Sequence, residues 1–97
     1  MQPSVQEPAK SIEDVVRAHF DQIDIKSVLV REDNDHDGDP ILRVYVVVDL
    51  RDQKIEGSRL KGLVRHVRSA LTLQNETRFP VFTFMTPQEN EGHPEAA

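Results

Sequence analysis

Ninety-seven residues, 37% apolar and 30% charged, with no tryptophan, describe one small globular domain rather than a disordered or fibrous chain. The absence of cysteine excludes disulfides, thiolate nucleophiles and thiolate metal sites together. A net charge of −5 and a pI near 5.3 argue against strong non-specific binding of nucleic acid, and no DNA partner is expected, because neutralising phosphates needs a basic surface.

Residues 1–10, MQPSVQEPAK, hold two prolines and no apolar stretch, which predicts a flexible arm and no secretory leader. Ser11 then has the character of a helix cap, with Glu13 and Asp14 suited to the positive end of the helix dipole. Ile12, Val15, Val16, His19 and Phe20 follow at helical spacing and predict a helix of about three turns. Residues 25–32 alternate as a strand. Pro40–Asp49 is the strongest strand, with Leu42, Val44, Val46 and Val48 on one face and Ile41, Tyr45 and Val47 on the other. Apolar residues on both faces predict the central strand of the sheet. The polar stretch between the two strands predicts an antiparallel hairpin.

Gly57-Ser58 opens the main helix, where Leu60, Leu63, Val64, Val67 and Leu71 form an amphipathic stripe that gives way around Gln74-Asn75. Phe79–Met85 is a last strand, and Pro80 puts it at a strand start or a sheet edge. Residues 87–97 are predicted to be a disordered acidic tail. The longest apolar run, Val44–Val48, is far below the ~20 residues that span a bilayer. Together with the missing disulfides, this predicts a cytoplasmic protein.

The order α-β-β-α-β across residues 11–86 predicts a small α+β domain, a three-stranded sheet with two helices packed on one face. The last strand would run parallel to the second strand or antiparallel to the first, depending on its neighbour. The uncovered face would expose more apolar surface than a monomer usually shows. Tyr45 and Val47 are therefore read as anchors for a protein partner or a homodimer.

EDNDHDGDP, residues 32–40, packs five carboxylates into eight positions. Asp33-x-Asp35-x-Asp37-Gly38 matches the first half of an EF-hand calcium loop, so Asp33, Asp35 and Asp37 are candidate metal ligands. The twelfth position, where a bidentate Glu should close the shell, is Val44. The flanks also read as strands, so any divalent-cation affinity should be weak. The competing reading is a hairpin turn kept polar by residues that turns favour.

Catalysis finds little support. Carboxylates do acid–base work when burial drives their pKa values apart, and an exposed loop does not. His19, His36, His66 and His93 are scattered, and no phosphate loop or nucleophile elbow is present. The expectation is a non-enzymatic protein without a cofactor.

Charge is unevenly distributed. Residues 31–39 sum to −4 (Arg31 against five acids), and residues 51–68 to +4 (six Lys/Arg against Asp52 and Glu56). This predicts a dipolar molecule, with the acidic loop as one pole and the basic helix as the other. Lys61, Arg65 and Arg68 fall on one helix face, with Arg43, Arg51, Lys54 and Arg78 as possible extensions. They form either a solvated surface whose stems cover apolar area or a docking site for RNA phosphate or an acidic protein surface. The acidic loop of a second copy is one such surface.

The run IKSVLVRE…ILRVYVVVD, then the basic amphipathic helix, then RFPVFTF, resembles ribosome-binding factor A. The likeness rests on Val44-Tyr45-Val46-Val47-Val48 as a V-Y-V-x-V-type central strand and on Phe79-Pro80 at the entry to the last strand. It covers roughly residues 12–86, mainly as an order of elements. The resemblance implies a type II KH-like fold and non-catalytic binding to the small ribosomal subunit or its RNA. From the residues themselves, the leading expectation is a cytosolic protein-interaction module, self-associating or one half of a complex. KH-like RNA binding is the alternative, and weak cation binding by residues 33–39 is a third.

Overall fold

The computed structural model describes residues 6–50, 55 and 57–91. Its elements are α1 (Gln6–His19), β1 (Asp24–Asn34), β2 (Pro40–Asp49), α2 (Gly57–Thr72), β3 (Phe79–Met85) and α3 (Pro87–Glu91). The sheet has the order β1-β2-β3, with β1 and β2 antiparallel and β2 and β3 parallel. The expected α+β architecture is present, and β2 is central. Its alternation explains this: Leu42, Val44, Val46 and Val48 are at most 2% exposed on one face, while Ile41, Tyr45 and Val47 are buried on the other. β3 is an edge strand, where the N–H that Pro80 lacks is best spared.

α1 and α2 cover one face together. Ile12, Val16 and Phe20 of the α1 segment and Leu63, Val67 and Leu71 of α2 join the inner row of β2 in a single core. The helices are also tied at one end. His19 Nε2 lies 2.8 Å from the Arg59 carbonyl oxygen, and Arg59 Nη2 donates to the His19 carbonyl at 3.1 Å. Gly62 faces that ring so closely that a Cβ there would sit 3.3 Å from His19 Cε1.

Three boundaries differ from the sequence reading. α1 begins at Gln6 rather than Ser11, so part of the expected flexible arm is helix; residues 1–5 of that arm lie outside the described residues. Pro8 does not prevent this, because the first-turn amides have no intrahelical acceptor to lose. Pro8 is buried, and Ser11 lies inside the helix, where its Oγ meets Gln74 Nε2.

The second difference is α3. Thr86 N–H donates to Glu89 Oε1 at 3.0 Å, and Glu89 N–H donates to Thr86 Oγ1 at 3.2 Å. This is a capping box with Pro87 in the first helical position. Residues 87–91 of the expected disordered tail are therefore helical, and 92–97 lie outside the described residues. α3 packs against β2 and β3. Third, β1 extends through Asp33 and Asn34, which were expected to be loop.

Candidate functional site

α2 turns Leu63, Val67 and Leu71 into the core, and the helical period leaves Lys61, Arg65 and Arg68 exposed on the outside. The helix carries no acidic residue, so no i,i+4 carboxylate offsets these charges. Lys61 and Arg65 make no ion pair with any described residue. Arg68 sets its guanidinium 5.0 Å from the centroid of the Phe79 ring, and that side chain is itself 46% exposed. The result is a basic stripe ending on an open aromatic. Sequence reasoning found the stripe but not Phe79, which only the parallel placement of β3 brings beside α2.

Several other cations are committed within the chain. Arg17 pairs with Glu13, Lys26 with Asp24, and Arg43 with Asp33. Arg43 and Arg78, expected as extensions of the basic patch, are thereby removed from it; Arg51 and Lys54 lie outside the described residues. Arg78 is the most enclosed: Nε and Nη2 each donate to Glu76 at 2.8 Å, and Nη1 reaches Glu32 at 3.1 Å. The side chains of Arg78 and Glu76 are 9% and 10% exposed. The bidentate bond from Arg78 holds the Glu76 carboxyl below its ordinary range, and Glu76 in turn raises Arg78. This pair braces the α2–β3 connection. Asn75 takes the left-handed conformation (φ 59°), with Glu76 N–H bonded to the Leu71 carbonyl and Asn75 N–H to that of Thr72, a Schellman closure of α2.

Tyr45 and Val47 are placed differently from expectation. They form a separate cluster with Met85 at the α3 end of the second sheet face, and all three are at most 9% exposed. The expected anchors are thus buried within the chain itself, on the strands β2 and β3 against which α3 packs.

The acidic loop is a tight hairpin connection. Asp35 and Asp39 close it backbone to backbone at 2.9 Å, and Gly38 sits at φ 87°, which its missing Cβ permits. Asp35 Oδ1 accepts the amides of Asp37 and Asp39, both at 2.9 Å. Asp33 belongs to β1, where the side-chain bond from Arg43, then the Asn34 amide, holds its carboxyl below the usual range. The three candidate metal ligands therefore do not converge. Among the described residues no cluster of three or more His, Asp or Glu is arranged to hold a metal ion.

The loop and the basic stripe are opposite poles only in part, because Arg59 and Lys61 lie at the end of α2 tied to His19, away from the hairpin, while Arg68 lies toward it. β2 and β3 are parallel, with Ile41 paired to Phe79, so the hairpin before β2 and the end of α2 before β3 share one end of the molecule. A cleft of about 690 Å³ there is lined by Glu32, Asp33 and Ile41 on one side and by Gln74, Glu76 and Arg78 on the other. Its charged groups Asp33, Glu76 and Arg78 already hold one another or Arg43.

No helix among the described residues is long and apolar enough to cross a membrane. Comparison of the chain with known protein families, curated proteins and solved structures finds no match.

Proposed function

We propose that this chain is a non-enzymatic, cytoplasmic protein-interaction module whose docking surface is the outer face of α2. The observation that carries this reading is the uncompensated stripe of Lys61, Arg65 and Arg68 on an acid-free helix, ending on the exposed Phe79 ring. Arg17, Arg43 and Arg78 are spent on carboxylates of the chain and Arg59 on the His19 carbonyl, whereas these face solvent. An arginine beside a partly open aromatic is the composition that protein interfaces favour at their centres. Affinity capture from lysate tests this: Lys61→Glu, Arg65→Glu and Arg68→Glu together should remove the captured protein, and nuclease should leave it. Capture that survives the triple reversal would sink the reading.

A second reading, RNA or ribosome contact, draws support from the same Arg68–Phe79 pair, since single-stranded bases stack on aromatic and guanidinium planes. The resemblance to ribosome-binding factor A points the same way, and the net charge of −5 points against it. Loss of all capture on nuclease treatment would make this the better account.

A further inference from the structure

Resting on the docking face just proposed, we infer that its occupant is the acidic hairpin of a second copy, and that the two copies close as a two-fold dimer. The charges are complementary: Lys61, Arg65 and Arg68 on one side, Asp35, Asp37 and Asp39 on the other. Both surfaces are rigid before they meet, one a helix and the other a turn whose Asp37 and Asp39 amides are pinned by Asp35. Little conformational freedom is therefore lost on docking. The hairpin tip stands out from the sheet, with the His36 and Asp37 side chains 91% and 71% exposed.

The position of the two surfaces decides the symmetry. Within one copy, no described carboxylate of the loop pairs with the stripe, although the Arg68 end of the stripe lies toward the hairpin and the Lys61 end away from it. Two complementary patches on one molecule are matched twice by a two-fold axis passing between them, so that each loop meets the other copy's stripe in a closed contact. Each copy carries −5, but at 0.15 M ionic strength repulsion between whole molecules is screened beyond ~8 Å, while contact pairs are screened much less.

Sedimentation velocity on the full chain tests the dimer. Twice the chain mass of 11.1 kDa is expected at high protein concentration in 0.1 M NaCl, falling to one chain mass in 1 M NaCl. The stripe variant Lys61→Glu/Arg65→Glu/Arg68→Glu and the loop variant Asp35→Asn/Asp37→Asn/Asp39→Asn should each sediment as single chains. The Asp35→Asn change keeps an amide-accepting oxygen, so the turn survives, and thermal melts verify both folds. Mixing the two variants should recover association, weaker than wild type, because one of the two loop–stripe contacts is restored. A wild type that stays at one chain mass throughout, or a dimer indifferent to both variants, would overturn the inference. A monomeric wild type whose captured partner is still lost on stripe reversal would overturn the self-contact alone and leave the docking face standing.

Discussion

Glu76 and Arg78 show what a single pair of side chains can hold. Glu76→Ala would leave a nearly enclosed guanidinium with only Glu32, and a loss of about 2 kcal/mol in urea denaturation is expected, between the values for exposed and buried pairs. The same pair sets a pH dependence. Because the folded-state pKa of Glu76 lies below its ordinary 4.5, its contribution is complete above that value and is lost as pH falls through the folded pKa. Asp33 acts in the same direction through Arg43. Urea midpoints measured downward from pH 6 should drop in the wild type and drop less in Glu76→Gln. Asn75 supplies a contrasting test: at φ 59°, Asn75→Gly should be neutral or mildly stabilising, whereas Asn75→Val should cost on the order of 1–2 kcal/mol. The helix end at Gln74-Asn75 was legible beforehand, whereas the partner of Arg78 was not. Gln74-Asn75 marks a helix end in any sequence, but which carboxylate meets Arg78 depends on tertiary contacts.

Elements were legible where a periodic pattern ran long enough to outweigh its ends. β2 and the stripe of α2 fall where their alternation and their 3.6-residue repeat place them. α3 was missed although Thr86-Pro87-Gln88-Glu89 spells its capping box, because a helix this short has no apolar repeat to confirm the caps. Only packing on the sheet makes it stable, and Pro87 is its one apolar residue. Thr86→Ala with Glu89→Ala should therefore release α3 while barely moving the global melt. Tyr45 is the single tyrosine in a chain without tryptophan, so acrylamide quenching of its fluorescence should rise in that variant. Unchanged quenching would mean that α3 is not what covers Tyr45.

At the scale of the whole molecule, the sequence showed two charge clusters but not their distance apart. That distance depends on whether β3 lies beside β2 or beside β1, a choice that the order α-β-β-α-β leaves open; β3 starts at the hairpin end either way, and its neighbour sets how far across the sheet α2's C-terminus lies from the loop. The sheet order also ranks local stability. Val44 and Val46 on doubly paired β2 should show the slowest amide exchange, and the exposed rim of β3 around Thr83 should exchange faster.

The two-sided burial of β2 has a consequence for the chain before it folds. Val44–Val48 is a β-prone, uncharged run that both sheet faces hide in the native state and nothing hides in a nascent or unfolding one. Arg43 and Asp49 bracket it, and the carboxylates of residues 32–39 lie just upstream, where they act as gatekeepers against strand stacking between chains. Asp35→Asn/Asp37→Asn/Asp39→Asn, harmless to the folded turn, should thus lower the yield of refolding from urea at high protein concentration.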